Sequence, residues 1–181
     1  VRGYIENGNG ERAVLSKTRN AQEYKVYRRN NITGEETLLA ENITDTTYTD
    51  ATWTSTSFGS YQYGVAAVYA DGDAEITWSN TIAKDMYTAL NVNVKTNSND
   101  VPVGARVKLV NLTEPGQGFD YKVTLDETAT VSFERFRKGN YKFTVSLEGY
   151  EKYVQEIEVI DNKDVEIVLN EIKAAVENLY V

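Results

Sequence analysis

The 181-residue sequence has no cysteine and no histidine, two prolines and one methionine. Without cysteine there are no disulfides, no thiolate metal sites and no cysteine nucleophile; without histidine the commonest acid, base and metal ligand is also missing. Lack of cysteine does not fix a compartment, because domains of this size can fold on core burial alone. No run of about 18 apolar residues is present, so no membrane helix is expected and no membrane insertion. The opening "VRGYIENGNG" lacks the apolar centre of a signal peptide, as expected of a processed or trimmed piece. A formal net charge of −8 argues against nucleic acid as a partner, since affinity for a phosphate backbone rests on Lys and Arg. The one basic cluster, Lys25, Arg28 and Arg29, falls in a strand pattern and reads as a solvated sheet face.

What is present is tyrosine, thirteen of them, in a chain rich in Val and Thr. Branched and aromatic side chains suit a pleated, half-buried surface, so the fold class expected is all-β. "YQYGVAAVYADGDAE" gives the longest strand of the first half, with Tyr61, Tyr63, Val65, Ala67 and Tyr69 on one face and that face buried. Before it, "ENGNGE" is turn chemistry and "RAVLSKT" a weak strand. "EYKVYRRN" is a strand with Tyr24 and Val26 on one face, and "TLLAEN" and "TTYTD" read as two short strands. After it, "AEITWSNTI" alternates through Ala74, Ile76 and Trp78. Short strands at near ten-residue spacing, with no helix-length crossover, indicate a sandwich.

A break at residues 83–88, "AKDMYT", divides the chain. The second half carries seven strand patterns: "ALNVNVKT", "GARVKLVNL", "FDYKVTL", "TATVSFERF", "GNYKFTVSLEGY", "EKYVQEIEVI" and "KDVEIVL". In the first, Leu90, Val92 and Val94 face inward. The clearest is the fifth, with Tyr141, Phe143, Val145 and Leu147 inward and Lys142, Thr144 and Ser146 in water. Each half alternates enough for its own core. In the tail, residues 171–181, Ile172, Val176 and Leu179 are spaced as on a helix, so a short helix, a linker or the start of a further module is expected there.

"YKVYRRN", "YTD" and "GSYQYGVAAVYADGDAEITWSN" together resemble the fibronectin type III pattern over about residues 22–84. By that resemblance Tyr61 takes the tyrosine-corner position, while Lys17 stands where the family usually has Trp and too few residues precede it to define the first strand. "PVGARVKLVN", "VSFERFRKGNYKFTVSLEGYEKY" and "VEIVL" resemble the carboxypeptidase regulatory-like domain, a transthyretin-type sandwich, over about residues 88–170. Ala129 stands where that family's turn has Gly. The resemblance implies two immunoglobulin-like/transthyretin-like β-sandwiches in tandem, residues 1–84 and 88–170, in an arrangement similar to accessory regions of surface adhesins and gingipain-like peptidases of Bacteroidetes-type bacteria.

Four residues stand out as contact candidates. Asp71 and Asp73 flank Gly72 between two strand patterns, and Asp-Gly there is a hairpin signal before it is a cation site, since calcium wants six to eight oxygens. By the resemblance this loop is also a place for partner recognition. Trp53 and Trp78 could stack on sugar rings, or else pack as large rings against the first core. A Lys95–Asn170 isopeptide bond with Glu148 as its acid would need all three buried together, yet Lys95 lies opposite Leu90, Val92 and Val94. Glu156 and Glu158 share the solvated face of a strand, unlike a glycosidase pair. No catalytic, cofactor or metal residue is therefore assigned. The expected function is a non-catalytic adhesion or spacer segment of a secreted or surface-displayed bacterial protein, with neighbouring domains, and a host protein or glycan, as partners. The alternatives are an accessory region of a secreted peptidase and a glycan-binding module.

Overall fold

In the computed structural model, residues 4–6, 12–14 and 21–173 are described. The chain divides into two compact units, the first comprising Val1–Thr56 and Tyr61–Ile82, the second Ser57–Ser60 and Ala83–Val181. The protein is all-β, and its one helical turn among the described residues is the 3-10 turn Trp53–Ser55.

In the first unit, β1 (Tyr4–Glu6) and β2 (Arg12–Val14) form an antiparallel pair. The main sheet contains β3 (Glu23–Asn30), β4 (Glu36–Ile43), β5 (Gly59–Tyr69), β6 (Gly72–Asp73), β7 (Thr77–Trp78) and β8 (Ile82–Lys84), in the order β4-β3-β5-β6, with β7 and β8 also pairing with β5. The turn from β3 to β4 is closed locally. Asn30 accepts from the Ile32 amide at 2.9 Å through its side chain, and Gly34 takes a φ of 75° that a side chain would resist.

Three sequence expectations are corrected here. "TTYTD" forms no strand: the Asp50 side chain bonds the backbone of Thr52 and turns the chain into the 3-10 turn instead of a ladder. "AEITWSNTI" is broken into short pieces, with ladder pairing only at Thr77–Trp78 before Ile82. The face carrying Tyr61, Tyr63 and Val65 is not uniformly buried. Tyr61 is, but Val65 is 44% exposed, and on the opposite face Gly64 and Ala66 are buried. That opposite face is covered because the chain returning from β6 lays Ile76 and Trp78 on Gly64. A Cβ at Gly64 would sit 2.5 Å from the Ile76 Cγ2 and 2.8 Å from the indole, so the residue must be glycine for the ring to pack this closely.

The second unit has two sheets. β10 (Arg106–Asn111), β11 (Tyr121–Thr124), β13 (Gly139–Ser146) and β14 (Tyr153–Val159) make an antiparallel sheet in the order β11-β10-β13-β14; β9 (Tyr87–Thr96), β12 (Thr130–Arg137) and β15 (Lys163–Leu169) make the other, in the order β12-β9-β15. β15 runs parallel to β9. Alternation sends Leu90, Val92, Val94, Ile167 and Leu169 of one sheet against Val107, Leu109, Tyr141, Phe143 and Val145 of the other, all buried in a single core. Tyr141, Phe143 and Val145 alone contribute roughly 5 to 9 kcal/mol of burial. The seven strands and the inward set Leu90, Val92 and Val94 are as the alternation predicts.

One residue breaks strict alternation for a reason. Phe133 pairs with Leu90 and Phe136 with Thr88, so β12 has one residue more than β9 across this interval. This bulge reverses the phase of the strand, turning Phe136 inward instead of outward. Phe136 is fully buried and stacks on Tyr121 at 4.4 Å. In the tail, Glu171 bridges to Tyr150 and the Ile172 amide bonds Gly149; Val176 and Leu179, which carried the helix expectation, lie outside the described residues.

The turn before β12 is built on Asp126, whose carboxylate accepts from the Thr128 amide at 2.9 Å and hydroxyl at 2.6 Å. It ends with Ala129 at a φ of 58°, a left-handed conformation that costs an L side chain about 1 kcal/mol or more. Ala129→Gly is therefore expected to stabilise the second unit by about 1 kcal/mol, read as a higher denaturant midpoint, the relief of strain exceeding the entropy that glycine adds to the unfolded chain.

Candidate functional site

A hollow lies on the face of the first unit's sheet where Val65 is left exposed among the described residues. It is an open groove of about 720 Å³, floored by Tyr24, Val26, Tyr63 and Val65 and walled by Tyr48 and Trp53. β3 and β5 supply the floor because Val26 pairs with Val65 and Arg28 with Tyr63, so these side chains emerge on the same face. The 3-10 turn supplies the wall. Trp53 stands edge-on to Tyr61 at 5.5 Å and tilted to Tyr63 at 6.1 Å, geometries that ring quadrupoles favour.

At the end of the groove is the most perturbed carboxylate of the described residues. Asp50 Oδ2 accepts from Arg28 Nη1 at 2.5 Å and from the Tyr63 hydroxyl at 2.8 Å; Oδ1 accepts from the Thr52 amide at 2.9 Å and its hydroxyl at 2.6 Å. Burial alone would push the carboxyl up, but the bonds from Thr52, Tyr63 and Arg28 together outweigh it and hold Asp50 down to about 2. Tyr63 moves the other way, to about 12, through burial and then the neighbouring carboxylate. Such a pair is charged or neutral, respectively, at every physiological pH. It can fix ring positions, but a proton-transfer catalyst needs a group poised nearer neutrality.

Arg28 brings a further correction to the sequence reading: Lys25, Arg28 and Arg29 do not share a solvated face. The strand alternation puts Arg28 on the same face as Val26, where it reaches Asp50 at the groove's end with its side chain 13% exposed, and sends Lys25 and Arg29 to the other side. There Lys25 bonds Asp73 at 2.5 Å, and Arg29 lies over the Trp78 ring at 4.1 Å while reaching Gln62 at 2.7 Å.

The four contact candidates are thus not gathered. Trp53 belongs to the groove. Trp78 is on the opposite face, between Gly64 and Arg29, which leaves little ring for a sugar. Asp73 is engaged by Lys25, and Asp71 sits at the exposed hairpin tip. The tip itself is Ala70–Asp71, because Gly72 already pairs with Tyr69. Of Asp50, Arg28 and Tyr63, the sequence reading has Arg28 in a solvated basic cluster and Tyr63 on a strand face, and does not single out Asp50. The signal was there: Asp50-Ala-Thr52 has the same Asp-x-Thr spacing as Asp126-Glu-Thr128, and in both the carboxylate takes the amide and hydroxyl two residues on.

In the second unit the buried charges are likewise neutralised. Arg137 forks onto Glu114 at 2.7 and 2.8 Å and lies over Phe119 at 4.3 Å; Lys138 donates to Asp85 at 2.6 Å. Tyr141, its ionisation pushed up chiefly by burial, accepts from Asn111 at 2.7 Å and donates to the Arg137 carbonyl at 2.7 Å. Lys95 is 54% exposed and bonds Glu166 at 2.7 Å, and Asn170 is exposed, so the desolvated cluster that an isopeptide bond requires is not assembled around them. Glu156 and Glu158 are exposed.

Among known families, the PEGA domain matches residues 120–173, from the start of β11 to just past β15. No curated protein matches the chain. Among solved structures, the TIE protein of Bacillus anthracis is 14% identical, with 84% of this chain and 35% of that one covered and a TM-score of 0.43. A C-terminal fragment of the pilus adhesin SpaC from Lactobacillus rhamnosus GG is 10% identical, with coverage of 85% and 90% and a TM-score of 0.38. The 3-chlorocatechol 1,2-dioxygenase of Rhodococcus opacus 1CP is 8% identical, with coverage of 48% and 60% and a TM-score of 0.41. The chain spans 60% of that dioxygenase and 35% of the TIE protein.

Because Asp50 titrates lower folded than unfolded, its network stabilises the first unit fully above the ordinary carboxyl range and is lost as pH falls from about 4 toward 2. NMR titration of the Asp50 carboxyl carbon should give a midpoint near 2. Asp50→Ala, which leaves the Arg28 guanidinium half-buried without its carboxylate, should destabilise the first unit by about 2 to 4 kcal/mol in chemical unfolding.

Proposed function

We propose that this chain is a non-catalytic adhesion or spacer segment of a larger secreted or surface-displayed bacterial protein. The observation that carries the reading is how the buried ionisable groups are used. Asp50, Arg28, Glu114, Arg137 and Lys138 each hold a turn or strand end against its own unit through a short charge-assisted bond. Among the described residues no buried side-chain nitrogen or oxygen lacks a partner. Groups spent on fixing backbone are not poised to bind a reacting atom. Each of the two compact units carries loops that can offer contact surface. The reading assigns the first unit to the fibronectin type III family and the second to the carboxypeptidase regulatory-like sandwiches, within which the PEGA match falls.

A glycan-binding reading is kept for one reason, the groove beside Trp53, whose size and aromatic lining fit a sugar ring. It assigns the contact to Trp53 alone, since Arg29 covers Trp78. Exchange of the whole segment for two unrelated β-sandwich modules in the parent protein tests the main reading. Display and function retained together mean a spacer; display retained with adhesion lost means a binding segment; a fall in turnover by an attached peptidase means an accessory region and removes the main reading. On a glycan array, Trp53→Ala should abolish any signal that Trp78→Ala leaves intact, and equal loss with both variants would contradict the groove assignment.

A further inference from the structure

The outer face of the four-stranded sheet in the second unit carries a feature at odds with a chain of net charge −8. Arg106 and Lys108 project from β10, and Lys122 from β11 directly opposite Lys108. With Lys152 they line one shallow hollow of about 390 Å³, together with Thr124, Thr144 and Ser146. The four cations are exposed, and no carboxylate among the described residues lies within ion-pair distance of any of them. Glu156 and Glu158 lie along β14 opposite Lys142 and Asn140, outside the hollow; Glu148 lines the adjoining hollow with Arg106 and Ser146 and forms no ion pair with Arg106. Like charges placed opposite one another on a sheet are destabilising. Lys108 facing Lys122 without a compensating acid is therefore a cost to the fold that a bound anion would remove.

From this charge complementarity we propose that the hollow binds a carboxylated polysaccharide chain. Lys supplies three of the four cations, as hydrated point charges that impose no single anion geometry. The hydroxyls between them match a ligand that alternates charge with hydroxyl groups. There is no aromatic ring in the hollow on which a nucleobase or a neutral sugar could stack. The patch is separate in sequence and in unit from the Trp53 groove, so it stands whether or not that groove binds a glycan.

Binding of the full chain to polygalacturonate oligomers, measured by calorimetry at low and at physiological salt, tests this. Lys108→Glu/Lys122→Glu should weaken binding about tenfold or more, equivalent to about 1.4 kcal/mol or more. Arg106→Gln/Lys152→Gln, which reverses no charge, should weaken it by a smaller factor. Lys95→Glu, a single charge reversal on the other sheet, should leave it unchanged. All four side chains are exposed, and circular dichroism verifies the fold of each variant. Absence of binding by the wild-type chain overturns the proposal. So does equal loss on Lys95→Glu, or tighter binding of inorganic polyphosphate or single-stranded DNA than of polygalacturonate.

Discussion

A pleated strand has two faces and a side chain cannot choose between them, so each strand must put its apolar residues at every second position or leave them in water. In the second unit this constraint is met strand by strand, and Leu90, Val92, Val94, Val107, Leu109, Tyr141, Phe143 and Val145 close into one interior between two sheets. Everything else there is subordinate to it. The β12 bulge restores the phase for Phe136, and the Arg137–Glu114 fork and the Tyr141–Asn111 bond satisfy polar groups that the packing draws inside.

The first unit meets the same constraint less fully. Among the described residues its buried apolar side chains are Val26, Tyr61 and Ala66, while Val65 and Ile82 are exposed. What holds this sheet is more specific: the indole of Trp78 on Gly64, Arg29 over that ring, and Asp50 tying Arg28, Thr52 and Tyr63 together on the opposite face. The face that the described residues leave incompletely covered and the candidate groove are the same surface, so one feature both limits the packing they provide and offers a contact site.

How far the sequence could be read follows from these two regimes. Alternation is a strong signal where both sides of a core alternate, which is why all seven strands of the second unit and the inward positions of Tyr141, Phe143 and Val145 were legible. It fails where a side chain overrides the ladder. Nothing in the β-propensity of "TTYTD" reveals that Asp50 will bond Thr52 and end the pairing, although the Asp-x-Thr spacing is visible once the geometry is known. It fails again at Val65, where alternation gives the face but not whether anything covers it. The candidate residues divided for the same reason: Trp53 and Trp78 look alike in sequence, yet Trp53 starts a 3-10 turn and Trp78 pairs in a strand, which sets them on opposite faces. The Lys108–Lys122 patch was invisible because it depends on strand pairing between residues far enough apart that only register brings them together.

If the second unit rests on a continuous core and the first on a few specific contacts, the two should open at different free energies. Native-state hydrogen exchange on the whole chain measures this directly. The account predicts that amides of β9, β10 and β13 exchange together at the highest opening free energy, while those of β3 and β5 exchange together at a distinctly lower one. A single opening free energy common to both sets, or greater protection in β3 and β5, would contradict it.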